Sequence, residues 1–72
     1  MTEKEFIKLI GEKIEQKRTA LGLSREALGQ KSELTRMHIY RIEKGEHAMG
    51  IGILRRIAKA LEVSVTELIN VE

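Results

Sequence analysis

Apolar residues recur along most of the chain at i, i+3 and i+4, the period of helices covered on one side. Ile7, Ile10, Ile14 and Leu21 share one face of a first segment, and Arg18 falls on that same face. Ala27 and Leu28, then Ile39 and Ile42, mark two shorter segments. Ile51, Leu54, Ile57, Ala58 and Leu61 mark a fourth, and Val65, Leu68 and Ile69 a fifth. The starts of these segments are written locally. A hydrophobic staple sets an apolar residue just before the N-cap against another five positions later. The device appears as Met1-Thr2 with Phe6, Leu23-Ser24 with Leu28, Leu34-Thr35 with Ile39, Met49-Gly50 with Leu54, and Val63-Ser64 with Leu68. Thr2–Glu5 and Ser64–Glu67 add the spacing of capping boxes, and Ser or Thr caps are worth about 1 kcal/mol each. With no Pro in the chain, the pattern predicts an all-α fold with helices at 3–20, 25–31, 36–44, 51–61 and 65–70. Without an internal repeat or a linker, residues 1–72 are expected to form a single domain.

The second and third helices are each about two turns long, and only Ser32 to Thr35 separates them, which is the spacing of a helix-turn-helix over residues 25–44. Gly29 falls where their axes would cross, and a small residue there lets the backbones approach. The third helix has an unusual outer face. At about 100° per residue, Ile39 and Ile42 share one side while Arg36, Met37, Tyr40, Arg41 and Lys44 fan across the other. A face meant only for water has no need of Tyr and Met. Glu43 lies at the border, where a carboxylate requires a partner.

Composition removes several alternatives. The chain has no Cys and no Asp, and its only histidines are His38 and His47. Disulfides and thiolate metal sites are excluded, a zinc site from two histidines alone is disfavoured, and no cofactor is expected. A core of this size rarely supplies more than about 3–5 kcal/mol, so self-association is the support left standing. It also leaves no room for a pocket of perturbed titratable groups, so an enzyme is not expected. No apolar run approaches transmembrane length, the first 21 residues are too charged for a signal peptide, and a cytoplasmic location is expected. The net charge of +2 divides unevenly: residues 1–16 carry three Lys against four Glu, 17–44 seven Lys or Arg against three Glu, and 45–72 three against four. Those sums are −1, +4 and −1, so the positive charge gathers in the helix-turn-helix segment, as an electrostatic footprint for phosphate requires.

The stretch LGLSREALGQKSELTRMHIYRIEKG, followed by IGILRRIAKALEVSVTEL, resembles the phage-repressor (Cro and XRE-like) helix-turn-helix family over roughly residues 10–69. The resemblance rests on L-G-L-S before the second helix, I-x-x-I-E-x-G closing the third, and A-K-A-L with V-S-V-T-E-L at the end. It implies a five-helix DNA-binding domain of the lambda-repressor type, with the third helix in the major groove. Base-reading positions of the family then fall on Arg36, Met37 and Arg41, with Tyr40 beside them. Arg25 matches a phosphate-gripping position that is usually Gln, and Lys44 another backbone-contacting position. A family ion pair maps onto Arg18 and Glu43, which gives the border carboxylate its partner. Three departures concern turns: Glu33 and Glu62 stand where Gly is usual, and Met49 where Pro is usual. A non-Gly residue at positive φ is uncommon, so the turn at Glu33 is expected to be strained or differently shaped.

Physical chemistry agrees with these roles. Arginine offers paired donors to guanine O6 and N7, and Met37 is apolar enough to meet a thymine methyl. Arg25, Lys44 and the free backbone N–H groups at Gly50, Ile51 and Gly52 suit phosphates, because a helix N-terminus favours anions. Arg55, Arg56 and Lys59 on the fourth helix are expected to face solvent. Leu9, Leu68, Ile69 and Val71 are candidates for a homodimer interface. The expected function is a DNA-binding transcriptional regulator, a repressor or a relative of restriction-modification controllers, acting on a palindromic operator as a homodimer. Neither a membrane nor a small-molecule effector is expected as a partner. An antitoxin-type module, binding a partner protein as well as DNA, is the alternative; it predicts a chain extension or a large apolar patch.

Overall fold

The computed structural model describes residues 1–71. Its five helices are α1 (Glu3–Ala20), α2 (Arg25–Ser32), α3 (Arg36–Glu43), α4 (Ile51–Ala60) and α5 (Val65–Ile69). Every boundary falls within one residue of the expected one, and side-chain caps set four of the five starts. The hydroxyls of Thr2, Ser24, Thr35 and Ser64 accept the N–H groups of Glu5, Ala27, His38 and Glu67 at 3.0–3.1 Å. Only Ser64–Glu67 closes the full capping box. At the other expected box, the Glu5 carboxylate accepts the Thr2 hydroxyl at 3.0 Å instead.

Four helix ends share one closure. A residue with positive φ donates its N–H three residues back, and the next residue donates five residues back, which satisfies carbonyls the helix would leave orphaned. The bonds are Gly22 to Thr19 with Leu23 to Arg18, Glu33 to Gln30 with Leu34 to Gly29, Gly45 to Ile42 with Glu46 to Arg41, and Glu62 to Lys59 with Val63 to Ala58. The left-handed position costs glycine little at Gly22 and Gly45. At Glu33 (φ 62°) and Glu62 (φ 61°) a side chain is forced into it. The turn at Glu33 therefore keeps the left-handed shape despite its sequence. Leu23, Leu34 and Val63 close one helix and staple the next, which is why three or four residues suffice for each of these links.

The core gathers Ile10, Ile14, Leu28, Ile39, Ile42, Leu54, Ile57, Ala58, Leu61 and Leu68. Three sequence assignments need correcting. Leu21 and Ile51 belong to the expected apolar stripes by periodicity, yet they are 45% and 74% exposed. Both stand at helix ends, where the helical period continues but no neighbour covers the face. Leu68, named as an interface residue, has no exposure at all and is part of the core. Gly29 is required for a slightly different reason than expected. A Cβ there would meet the Leu34 carbonyl oxygen at 2.6 Å, so the glycine makes room for the turn itself. Close helix approach falls to Gly11, where a Cβ would collide with the backbone of Ile42 and Glu43, allowing α1 to cross tightly over the end of α3.

Candidate nucleic-acid interface

The site begins with what holds α3. Ile39 and Ile42 are fully buried, and Glu43 is 2% exposed. A carboxylate so deep needs charge-assisted partners. Arg18 donates from Nε to Glu43 Oε2 at 2.7 Å and from Nη2 to Oε1 at 3.3 Å, while its Nη1 reaches the Leu23 carbonyl at 2.8 Å. Arg18 of α1 is thereby tied both to α3 and to the entry of α2.

A second arginine joins them. Arg25 donates from Nε to Glu43 Oε1 at 2.8 Å and from Nη2 to Glu15 Oε2 at 2.9 Å. The hydrogen bond to Glu43 raises the Arg25 pKa above its ordinary value, against a lowering by burial, and the charges of Glu43 and Glu15 act in the same upward direction. The Arg25 guanidinium also lies 5.1 Å from the centre of the Tyr40 ring, and Lys44 Nζ lies 5.7 Å from it. Arg25 is thus not the unencumbered side chain that a pure phosphate grip implies: two of its three nitrogens are committed to carboxylates. Sequence reasoning missed this because the partners are 10 and 18 residues away along the chain.

On the outer face, Arg36, Met37, Tyr40, Arg41 and Lys44 are all exposed. Met37 is 51% and Tyr40 38% exposed, high for large apolar bodies. Arg36, Met37 and Tyr40 together with Arg25 line an open depression of about 280 Å³. A second, of about 230 Å³, lies between Thr35, Met37, His38, Arg41 and His47. His38 and His47 meet edge to face there, with ring centres 5.9 Å apart.

The start of α4 is bare. Gly50 is its N-cap, without a side-chain cap bond, and Gly50, Ile51 and Gly52 are exposed. Nothing lies within 4 Å of where a Cβ would stand on Gly50 or Gly52. The first N–H groups of the helix are therefore open to an anion. Further along α4, Arg56 is exposed as expected, yet it also reaches the end of α2. It donates from Nε to the Ser32 carbonyl at 3.0 Å and from Nη2 to the Glu33 carbonyl at 3.1 Å. A cation thus covers the C-terminal carbonyls of α2 and clamps the turn that aims α3. The orphan carbonyls at the end of α2 were the signal available in sequence, but which of three basic residues on α4 would answer it was not.

Of the remaining interface candidates, Ile69 is 39% exposed, while Leu9 and Val71 are half-buried. Leu9 and Val71 line one shallow depression, and Ile69 lines another beside Phe6 and Ile7, so all three surround the junction of α1 and α5. Among the described residues no helix is long and apolar enough to cross a membrane.

Residues 14–68 match the family described as helix-turn-helix (HTH_3). Two curated relatives, uncharacterised HTH-type transcriptional regulators of Sinorhizobium medicae and Rhizobium meliloti, are each 37% identical over 57 residues. The aligned part is 79% of this chain and 41% of each relative, so the chain spans about two-fifths of their length. Among solved structures, the restriction-modification controller protein C.AhdI from Aeromonas hydrophila is 31% identical with a TM-score of 0.83, over 89% of this chain and 96% of that one. The P22 c2 repressor, crystallised with a synthetic operator, is 27% identical with a TM-score of 0.81, over 88% of this chain and 96% of its own. Because the match takes in the helix pair, the turn between them and the buried anchor of α3, the chain belongs to the XRE-like helix-turn-helix family, whose members are DNA-binding transcriptional regulators and not enzymes.

Proposed function

We propose that the protein is a cytoplasmic transcriptional regulator that binds a palindromic operator as a homodimer, in the manner of a repressor or a restriction-modification controller. The observation that carries this reading is the two-sidedness of α3. Its inner side is fixed by Ile39, Ile42 and the Glu43 ion pairs, and its outer side offers Arg36, Met37, Tyr40 and Arg41 to a partner. An exposed helix with paired guanidinium donors and no outward carboxylate suits the acceptor-rich edges of guanine in the major groove. Lys44 and the open N–H groups of Gly50, Ile51 and Gly52 flank that helix as phosphate contacts, which set register without reading sequence. Arg25 adds to them only through the N–H groups its two carboxylate partners leave over. The structural neighbours support the assignment: one is a controller protein and another is a repressor crystallised with an operator.

Selection of bound sites from random duplex DNA tests the proposal. The expected product is an inverted repeat whose half-site centres lie one helical turn apart, about 34 Å. Recovery of no common sequence, with binding that depends on salt alone, would leave a non-specific DNA-binding protein and contradict the reading.

A further inference from the structure

We propose that Glu15 restrains the DNA affinity of this protein by withholding Arg25 from phosphate. The proposal rests on α3 and the start of α2 facing DNA, and it gives α1 a residue that acts on the duplex without touching it. Arg25 opens α2 and lines an open depression with Arg36, Met37 and Tyr40 of α3, so its guanidinium stands at the edge of the outer face. The Arg25 side chain is 27% exposed, enough to meet a partner from outside.

The guanidinium edge decides what such a partner can use. The N–H groups of Nε and Nη2 point the same way from one edge, a fork that matches two oxygens of a carboxylate or a phosphate. Here a different carboxylate takes each prong. Nε donates to Glu43 Oε1 at 2.8 Å, and Nη2 donates to Glu15 Oε2 at 2.9 Å. A phosphate arriving at Arg25 therefore finds the fork occupied. The charge is offset as well: Glu15 and Glu43 balance Arg18 and Arg25, so this group brings no net charge to the DNA-facing side.

The two carboxylates are not equivalent. The Glu43 side chain has no exposed surface and cannot be left without a cation. The Glu15 side chain is 36% exposed, so water can replace its partner, and Arg18 stays 3.7 Å away. Its bond to Arg25 is the one the fold can lose. Glu43 and the Tyr40 ring, 5.1 Å from the guanidinium, keep Arg25 in place without it. Glu15 is thus a positioning residue that acts on DNA through Arg25.

The test measures binding of Glu15→Gln, Arg25→Gln and the double variant to the selected operator and to an unrelated duplex, over a range of salt concentrations. Glutamine keeps the shape of Glu15 and removes its charge. Glu15→Gln is expected to bind both duplexes about two- to fivefold more tightly, the range of one exposed ion pair. Its salt dependence should steepen by up to about 1, the effect of one further phosphate contact. Its thermal midpoint should not rise, which separates the gain from better folding; a merely structural Glu15 predicts a loss of both. In the Arg25→Gln background the same substitution is expected to change affinity much less, because the nitrogen it frees is gone. Glu12→Gln, an equal change of charge where α1 borders Val71, repeats this control with Arg25 untouched and should give a smaller gain. Unchanged or weaker binding by Glu15→Gln overturns the restraint and leaves the DNA reading standing. An equal gain in Glu12→Gln, or in the absence of Arg25, reflects net charge alone and overturns it too. Binding to neither duplex by the unaltered protein overturns the DNA reading first, and the restraint with it.

Discussion

Glu43 accepts three charge-assisted hydrogen bonds from two arginines of two other helices, at a site with almost no water. That arrangement makes a single side chain the junction of α1, α2 and α3. Removing it would leave two guanidinium groups facing an emptied pocket, and stranding a buried charge typically costs about 3–5 kcal/mol. Glu15 remains near both arginines, at 3.7 Å from Arg18 and 2.9 Å from Arg25, which moves the expected loss to the lower end. Glu43→Ala is therefore expected to destabilise the fold by about 3 kcal/mol, close to all that a core of this size supplies. Glu43→Gln, which keeps the shape and removes the charge, should share most of that loss. Urea unfolding measures both, and a midpoint equal to that of the unaltered protein would mean that the ion pairs contribute nothing. Half of this junction was legible in the sequence. The resemblance paired Arg18 with Glu43, but it assigned Arg25 a phosphate role, and no periodicity reveals a reach from one helix start to another helix's end.

At the scale of helices, starts were easier to read than ends. A start leaves Ser or Thr at the cap and apolar residues on either side of it, and all of these are visible in the letters. An end is visible only where the left-handed residue is glycine, as at Gly22 and Gly45. Glu33 and Glu62 adopt the same geometry without its signature. The left-handed region costs an L-residue about 1–2 kcal/mol, and glycine gives back about 0.5–1 kcal/mol through its freer unfolded chain. Glu33→Gly and Glu62→Gly are each expected to stabilise by about 0.5–1 kcal/mol, read as a higher thermal midpoint. Arg56 bonds to backbone carbonyls, so the first substitution keeps that clamp intact. A lowered midpoint for either variant would show that the glutamate side chain itself stabilises the turn. The Arg56 clamp lies beyond sequence reading for another reason. Periodicity places Arg56 on an outer face, but α2 and α4 pack side by side, and the face that looks outward from the core borders the end of α2.

For the whole molecule, size decides the form of binding. The described residues span 31 × 21 × 21 Å and carry one α3, so under the proposed reading a single copy cannot place two such helices about 34 Å apart. A palindrome therefore requires two copies. The α1–α5 junction offers Ile69, with Leu9 and Val71 close by, whereas Leu68 is already consumed by the core. The expected interface also gave Leu68 two tasks, core and contact, that one side chain cannot perform. Ile69→Lys is expected to give a folded monomer whose operator affinity falls about 100-fold or more, since each half-site is then bound without the help of the other. Sedimentation that finds an unaltered dimer would move the interface to another face, with Ile53 and Ala60 on α4 the next to change. Base reading by the outer face of α3 is checked by comparing specific with non-specific DNA affinity in Arg36→Ala and Arg41→Ala at fixed salt. Each substitution is expected to cost about 1–3 kcal/mol on the selected operator and far less on unrelated DNA. Equal losses on both would make these arginines phosphate contacts and contradict the account.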